Sequence, residues 1–405
     1  MLLLHLKKEQ MKEPREKLWN INYIWIMIAN FSMYFAFYLL TPLLPLYLNE
    51  HFGATKDLIG IILSGYTIAA LLFRPFSGFF VDSFNRKKVL LFFSLLYFIF
   101  FGFYLVAGTV LLFAVVRSLH GAPFGAFTVA NSTVAIDVLP SSRRNEGIGY
   151  YGLSNNVATA IAPTVGILIY KQTHDFNLLF LLAFLFALIG LFASARVQIP
   201  QREIQQRVKK ISLDRFFLMR GWLLGVNMIF FSFCYGVLSN YLAIYGKQVL
   251  DTTDSTGLYF MILSLGLIIS RLQGNKMLKR GKLIFNAGSG LLFSMAGYTI
   301  FIALPNEIGY YLSALLIGFG NGHMYPAFQN MIIKTAYHNE RGTANSTLLT
   351  CWDIGVGLGI MIGGIVAEYF GYTMAFWTMV GVHFAGLVLF FAQTRPFFLK
   401  HQILS

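Results

Sequence analysis

Two charged side chains lie far from the ends of long apolar runs. Arg117 is about eight residues into one run, and Asp353 is about twelve residues into another. A charge near the centre of a bilayer costs about 2.5–3.5 kcal/mol on insertion scales, so each needs a partner or a hydrated cavity. Because burial favours the neutral form of a carboxylate, Asp353 could bind and release a proton, and Arg117 could adjust a carboxylate's proton affinity. Alternatively, Asp353 fixes helix packing, while Arg117 forms a structural ion pair or extends to the membrane surface. A weaker candidate for proton binding is Asp137, which lies near the end of its run.

Two histidines, His120 and His323, occupy roughly equivalent positions in the two halves of the chain. Histidine can titrate near neutral pH, so both are candidates for a proton relay. The alternative is a hydrogen-bonded packing role. The sequence shows no metal-ligand spacing, and it predicts neither a metal nor a cofactor.

Amide and phenol side chains in the apolar runs are candidates for substrate contacts. Asn30, Tyr34 and Tyr38 follow at intervals of four residues, which places them on one face of a helix. The further candidates are Asn131, Asn155, Asn156, Asn240, Tyr241, Tyr325 and Gln329. A pocket of aromatic and amide groups with little fixed charge suits a neutral or amphipathic organic ligand. The alternative is hydrogen bonding between helices, worth about 0.6 kcal/mol per contact.

The composition is that of a membrane protein. Of 405 residues, 57% are hydrophobic and 12% charged, against about 45–50% and about 25% in soluble proteins. The excess apolar surface must face lipid. The net charge of +14 does not predict nucleic-acid binding, because the basic residues sit in short loops rather than in one domain. Cys234 and Cys351 lie inside apolar runs and are interpreted as buried hydrophobic residues. The first residues do not resemble a signal peptide, and translation could start at Met1 or Met11.

Twelve apolar runs are long enough to cross the membrane as helices, since a span needs roughly 20 residues. They cover residues 21–48, 57–81, 87–107, 109–136, 146–170, 176–195, 218–246, 254–275, 281–304, 307–334, 341–368 and 371–393. They lack the alternation of polar and apolar residues typical of a membrane barrel, so the predicted fold class is an all-α membrane protein.

The loops indicate the orientation. Roughly 25 Lys and Arg residues fall in the even-numbered connections and the two tails, against three in the odd-numbered connections. This bias predicts that both termini are cytoplasmic. The predicted organisation is a cytoplasmic tail (1–20), a six-helix bundle (21–195), a cytoplasmic linker (196–217), a second six-helix bundle (218–393) and a cytoplasmic tail (394–405).

The two halves contain an internal repeat. Arg74 near the end of the second run is matched by Arg271, 197 residues later, and Gly121 in the fourth run is matched by Gly318 at the same shift. The segment Arg144-Asn-Glu-Gly147 is similar to Asn339-Glu-Arg-Gly342. Two six-helix halves with a site between them near the bilayer midplane are typical of transporters.

On these features the chain resembles the major facilitator superfamily and, within it, proton antiporters of the drug and arabinose-efflux type. The loop after the second run carries that superfamily's signature residues Gly78, Asp82, Arg86, Lys87 and Lys88, although Ser83 and Asn85 depart from it. Arg117 with Gly121 and Gly125 resembles the motif linked to proton coupling. The antiporter signature is matched by Gly152, Ala162, Pro163 and Gly166, with Ala162 where glycine is typical.

The signature loop suggests a gate latch. Asp82, at the cytoplasmic end of its helix, could meet a helix N-terminus or an arginine of the other half and hold that side closed. The alternative is that the basic residues only fix the topology and that Asp82 only caps a turn. Near Asp353, three glycines at positions 355, 357 and 359 resemble a group of bacterial efflux proteins.

The resemblance implies a monomeric multi-pass protein of the bacterial inner membrane, with two pseudo-symmetric bundles that alternate access to a central cavity. The function expected is proton-coupled efflux of a small organic molecule, with protons and the lipid bilayer as the other partners. Two alternatives stay open: proton-coupled import of a sugar or metabolite, and a non-transporting receptor or enzyme. No catalytic motif supports an enzyme.

Overall fold

The computed structural model describes residues 17–54, 56–199, 216–250 and 255–403, and within these ranges twelve helices have 18 residues or more. In chain order they are α1 Ile21–Leu40, α2 Lys56–Ser83, α3 Arg86–Tyr104, α4 Val110–Asp137, α5 Arg144–Thr173, α6 Phe176–Arg196, α7 Trp222–Leu250, α8 Ser255–Lys279, α9 Leu283–Ala303, α10 Glu307–Lys334, α11 Arg341–Phe370 and α12 Tyr372–Leu389. The predicted all-α class is confirmed. Most of the N-terminal tail and of the 196–217 linker lies outside the described residues.

The first predicted span does not form one helix. Helix α1 ends at Leu40, and a separate short helix covers Leu44–Phe52. Pro42 lies in the break, where it lacks the backbone N–H that would continue the ladder and its ring crowds the preceding turn. The prediction of a single run over 21–48 was therefore wrong at its second end. At the other end of the chain, α12 continues through a wide turn at Phe390–Thr394 into a short helix, Arg395–His401.

Ten helices of the described residues are long and apolar enough to cross a membrane, and α10 is less apolar than these. Helices α8 and α10 both have polar side chains inside the protein. His323, Gln329 and Asn330 of α10 and Arg271 of α8 are all buried. A helix surrounded by other helices can carry such residues because they do not face lipid. Large apolar side chains lie outside instead: Leu111 is 73% exposed.

The predicted repeat is visible in the packing of the helices. A Cβ on Gly121 of α4 would lie 2.0 Å from the carbonyl oxygen of Tyr66 in α2. A Cβ on Gly318 of α10 would likewise lie 2.0 Å from the carbonyl oxygen of Leu263 in α8. Both members of the second pair follow the first by 197 residues. The same glycine therefore allows the same close helix contact in each half.

The two halves meet along two pairs of helices. Helix α2 of the first half packs on α11 of the second, and α5 packs on α8. The loops rich in Lys and Arg lie at one end of the bundle, here called the basic end: residues 83–86, 137–144, 279–283 and 334–341. The two helix pairs run from this basic end into the middle of the protein, where the candidate site lies.

Candidate functional site

An ion pair joins the two halves in the middle of the bundle. The Nε atom of Arg74 in α2 lies 3.0 Å from Oδ2 of Asp353 in α11, and their side chains are 6% and 15% exposed. Asp353 is twelve residues from the first residue of α11, Arg341, which is about 18 Å along a helix. The contact therefore lies deep within the predicted span. The ion pair therefore connects the two halves through a titratable group, the carboxylate of Asp353.

Aromatic residues surround this pair. The phenols of Tyr34, Tyr38 and Tyr325 lie within electrostatic range of Asp353. The ring of Tyr325 packs edge-on against Trp352, with ring centroids 5.4 Å apart. These side chains come from α1, α10 and α11, so both halves contribute to the surroundings of the pair. The sequence predicted these tyrosines as cavity candidates, and the structure brings three of them to Asp353.

A second buried arginine lies at the other helix pair. Arg271 of α8 is 3% exposed. A Cβ on Gly152 of α5 would lie 2.8 Å from its Nη2 atom, so the guanidinium rests against the surface of α5. Its Nε and Nη1 atoms make no hydrogen bond within the described part of the chain. Tyr325 lies within electrostatic range of both Arg271 and Arg74.

Arg117 lies apart from Asp353, in an aromatic cage. Its guanidinium carbon is 4.0 Å from the ring centre of Tyr66 and 5.5 Å from that of Phe37. Its Nη1 donates to the hydroxyl of Tyr104 at 3.2 Å. Cation–π contacts of this kind stabilise a guanidinium without a carboxylate. The carboxylate–arginine contact that the structure shows at mid-depth is the one between Asp353 and Arg74.

The two histidines make contacts within their own halves. His120 Nδ1 lies 2.9 Å from the hydroxyl of Tyr104. His323 Nδ1 lies 3.0 Å from the carbonyl oxygen of Phe319, one turn earlier in α10. These contacts fit the packing alternative. The described residues contain no cluster of three His, Cys, Asp or Glu side chains that could hold a metal ion.

At the basic end, Asp82 of α2 caps the first turn of α11. Its carboxylate accepts hydrogen bonds from the backbone N–H groups of Gly342 at 3.0 Å and Thr343 at 2.7 Å, and from the hydroxyl of Thr343 at 2.8 Å. Arg86 also donates to it at 3.0 Å. Asp82 thus contacts a helix N-terminus of the other half. A carboxylate is favourable there because the N-terminus carries partial positive charge.

Further charges link the halves around this contact. Asp137 forms ion pairs with Arg86 of its own half and with Arg341 of the other half. On the opposite side of the interface, Lys279 of α8 lies 2.8 Å from Glu146 of α5. Asp137, a secondary candidate for proton binding, is thus part of the network at the basic end.

The two lysines of the signature loop differ. Lys87 donates to the carbonyl oxygens of Ser194 and Ala195, at 2.6 and 2.8 Å, and so stabilises the C-terminal turn of α6. Lys88 is exposed. Gly78, the first residue of the motif, lies where α2 and α11 touch: a Cβ there would be 2.7 Å from Cβ of Ser346.

The antiporter motif residues lie along α5. Ala162 is buried, Pro163 lies inside the helix, and a Cβ on Gly166 would be 2.4 Å from the carbonyl oxygen of Leu39 in α1. Gly152 faces the other half, through Arg271. Gly166 therefore serves packing within the first half, and Gly152 serves the interface.

The amide candidates fall into two groups. Asn30 and Asn131 are fully buried and bonded to each other at 3.3 Å, and Asn30 also donates to Ser154 at 2.8 Å. They connect helices of the first half. Gln329 approaches Asn345 at 3.5 Å within the second half.

The remaining candidates lie on α5 and α7. Asn155 accepts a hydrogen bond from Thr159 of its own helix at 3.2 Å, and Asn156 has an Nδ2 group without an acceptor in the described part of the chain. Asn240 is exposed and bonds to the carbonyl of Gly236 in its own helix. Tyr241 donates to the carbonyl oxygen of Ile360 at 2.6 Å. Asn240 and Tyr241 thus have partners outside the Arg74–Asp353 surroundings.

A family model described as Major Facilitator Superfamily matches residues 26–360 and 324–402 of this chain. The chain belongs to the Major Facilitator Superfamily. Its fold and its composition agree with that membership, and a superfamily member with these helices is a multi-pass membrane transporter rather than an enzyme.

Similar proteins include the staphylopine export protein of Staphylococcus aureus (strain Mu50), 23% identical over 366 residues that cover 86% of this chain and 90% of the relative. Among solved structures, the human organic anion transporter MFSD10 (TETRAN) has a TM-score of 0.78 at 16% identity and covers 91% of this chain and 98% of its own. The transporter FucP in the outward conformation has a TM-score of 0.77 at 15% identity, with coverage of 94% and 99%. At these identities the structures show the shared superfamily fold.

The sequence did not single out Arg74 and Arg271 as candidate site residues; both served only as markers of the repeat. The signal that could have found them is their distance from the next basic residues: Arg74 precedes Arg86 by twelve positions, about 18 Å along a helix. A side chain so far from the basic end has to be buried between helices.

Proposed function

We propose that this transporter exports small organic molecules in exchange for protons, by alternating access between its two halves. The observation that carries this proposal is the Arg74–Asp353 ion pair, which joins the halves in the middle of the bundle. A carboxylate in this position can respond to a proton and change a contact between the moving parts. Such a group is what coupling requires, since the proton must alter the relative stability of two states.

The coupling step takes place at Asp353. A proton on its carboxylate neutralises the charge and removes the attraction to Arg74, so the halves lose their central contact and can rock apart. Loss of the proton restores the pair. One elementary charge that crosses 100 mV supplies about 2.3 kcal/mol, which is enough to sustain a useful substrate gradient.

The network at the basic end acts as the gate. Asp82, Asp137 and Lys279 each contact the other half there, and by the distribution of Lys and Arg this end faces the cytoplasm. With these contacts made, the cytoplasmic side is closed. The substrate site would then open toward the other face of the bacterial inner membrane, and both termini would be cytoplasmic.

The substrate binds among the aromatic residues around the ion pair. Tyr34, Tyr38, Tyr325 and Trp352 offer apolar surface with hydroxyl groups, which suits an amphipathic organic molecule. Export rather than import is favoured by the similarity of the chain, over most of its length, to the staphylopine export protein. We propose a monomer, since each chain contains both halves of the site.

The test is proton release upon ligand binding. Purified full-length protein in weakly buffered detergent solution is screened with aromatic amines, amides and acids, and the pH change is recorded. We expect at least one ligand to displace protons from the wild type and none to do so from Asp353→Asn. Asp175→Asn, which alters a cap of α6 formed within the first half, is the matched control and should behave as the wild type.

The direction of transport follows from the same ligand. In inside-out vesicles with an acidic lumen, an exported ligand that is added outside should accumulate in the lumen while protons leave. If binding occurs without proton displacement in the wild type, Asp353 is a packing residue and the antiport proposal fails. If the ligand is instead driven out of such vesicles, the protein is an importer.

A further inference from the structure

Arg271 is a buried cation that forms no ion pair with a carboxylate in the described part of the chain. Its side chain is 3% exposed, and its Nε and Nη1 groups donate to no acceptor among the described residues. The titratable groups within electrostatic range of it are the phenol of Tyr325 and the imidazole of His323, and neither is a carboxylate. Burying an unpaired guanidinium is costly, so it is retained where a ligand or a reaction needs it.

The internal repeat shows what is missing. Arg271 is the counterpart of Arg74 at a shift of 197 residues, and at the same shift the counterpart of Asp353 is Asn156. Arg74 is paired with Asp353 across the interface. The equivalent place beside Arg271 therefore holds an amide in place of a carboxylate. One of the two arginine sites supplies its own anion, and the other does not.

The geometry supports this correspondence. The guanidinium of Arg271 rests against Gly152, where a side chain would collide with it. Asn156 lies one helical turn further along α5 and so on the same face as Gly152. Its Nδ2 group has no acceptor in the described part of the chain. Two unsatisfied donors on α8 and α5 thus occur on facing surfaces.

The charges near the ion pair do not balance. Arg74 and Asp353 compensate each other, while Arg271 adds a positive charge. Tyr325 lies within electrostatic range of all three groups and so connects the surroundings of the two arginines. A guanidinium without a compensating carboxylate, with planar, fork-shaped donors, is complementary to a carboxylate.

We propose that Arg271, assisted by Asn156, binds a carboxylate of the transported molecule. This carboxylate lies beside Arg271 in the same way as that of Asp353 lies beside Arg74. This inference rests on the proposed transport function and specifies its substrate class: an organic acid or zwitterion with an apolar part. The aromatic side chains hold the apolar part, and Arg271 selects the charge.

The experiment compares phenylacetate with its neutral analogue phenylacetamide. Binding to purified full-length protein at pH 7.5 is measured by saturation-transfer NMR, in a buffer without carboxylates and at constant ionic strength. We expect the wild type to bind the acid about ten- to a hundredfold more tightly than the amide, the range for a charge-assisted hydrogen bond. Arg271→Gln should abolish this preference, and Arg271→Lys should keep part of it.

The sharpest variant is Asn156→Asp. This substitution places a carboxylate beside Arg271, as Asp353 is placed beside Arg74. The new carboxylate should compete with the ligand for Arg271. The preference for phenylacetate should therefore be lost although the arginine is still present. Arg220→Gln, at the basic end and over the ring of Tyr337, is the matched control and should keep the preference. Size-exclusion profiles and melting temperatures identify any variant that does not fold.

The outcomes separate the two proposals. Asp353→Asn should keep the preference for the acid even though it loses proton displacement, because Arg271 is intact. If Arg271→Gln and Asn156→Asp both fold and retain the wild-type preference, Arg271 is a structural residue and the inference is overturned. If chloride or sulfate competes as well as phenylacetate, the site binds inorganic anions, and the assignment to an organic acid is also wrong.

Discussion

At the scale of single residues, the Arg74–Asp353 contact is most informative when both partners are removed. Each side chain alone would be a buried charge without its partner, whereas the pair is compensated. Removing one member of a buried ion pair costs about 3–5 kcal/mol, but replacing both with neutral groups can leave stability unchanged. The energetic and the functional roles of the pair can therefore be separated.

We expect Arg74→Gln to lower the melting temperature clearly and the double variant Arg74→Gln/Asp353→Asn to recover most of that loss. The reason is that the double variant leaves no unpaired charge at this point. Thermal unfolding of the purified proteins is the measurement. The double variant should still fail to displace protons on ligand binding; recovered proton displacement would show that Asp353 is not the coupling group.

Single residues were also the hardest to assign from the sequence. Asp353 was predicted as a proton site, and the structure does place it at the interface between the halves. Arg117 was predicted to act on a carboxylate, but in the folded chain it is surrounded by Phe37, Tyr66 and Tyr104. Which arginine meets which carboxylate depends on how α2, α4 and α11 cross, and the spacing along one helix does not contain that information.

At the scale of helices, the junction of α2 with α11 is the proposed switch element. Asp82 supplies a charge to the exposed N–H groups of the first turn of α11, and Gly78 lets the two helices touch one turn earlier. The two contacts act together: the glycine permits the approach, and the carboxylate stabilises it. The contact is local, so a single substitution should alter it without unfolding either half.

We expect Asp82→Asn to shift the protein toward a state open at the basic end. The variant loses the charge that favours three hydrogen bonds to α11, and bonds to charged groups are worth about 1.5–3 kcal/mol. Spin labels on cysteines at Lys88 and Arg280, both exposed and in different halves, report the separation. A longer distance should appear in the variant and be absent from the wild type.

This measurement uses a background in which the buried Cys234 and Cys351 are replaced by alanine. Asp175→Asn, a cap that does not cross between the halves, should give the wild-type distance. If the distance between the two labels is unchanged in Asp82→Asn, Asp82 is an ordinary helix cap and does not hold the basic end closed.

The helices themselves were largely predictable. Hydropathy finds long apolar runs whatever their environment, and all twelve predicted runs correspond to a long helix. The exceptions have physical causes. Pro42 splits the first run, and α10 is less apolar because its polar residues, such as His323 and Gln329, are covered by neighbouring helices. A hydropathy window cannot distinguish a lipid-facing helix from a buried one by itself.

At the scale of the whole molecule, the two halves are alike in backbone but differ in the polar groups at some equivalent positions of their interfaces. Asp82 of α2 binds the start of α11, and its counterpart Lys279 of α8 binds Glu146 near the start of α5. Likewise Arg74 has Asp353 as its partner, while Arg271 has only Asn156 in the equivalent place. The repeat thus provides two similar interfaces, and the sequence differences are the basis for proposing a proton site at one and a carboxylate site at the other.

The repeat explains why the architecture could be predicted and the state could not. Glycine pairs such as Gly121 and Gly318 recur in the sequence at a constant shift, and this recurrence predicts two related bundles. Which end of the interface is closed depends on contacts such as Asp82 with Thr343, and these belong to one arrangement of the bundles. The same sequence must also support the other arrangement if it transports.

The arrangement seen here predicts access from one side only. Each cross-half polar contact described above lies at the depth of Asp353 or nearer the basic end, so the site should be reachable from the opposite face.

In the background without native cysteines, Tyr325→Cys should react with a membrane-impermeant thiol reagent in intact cells, and phenylacetate should slow that reaction. Adding Asp82→Asn should raise labelling in inside-out vesicles, because the basic end then opens. Fast labelling of Tyr325→Cys alone only in inside-out vesicles would reverse the proposed orientation of the closed end, and with it the direction from which the proton reaches Asp353.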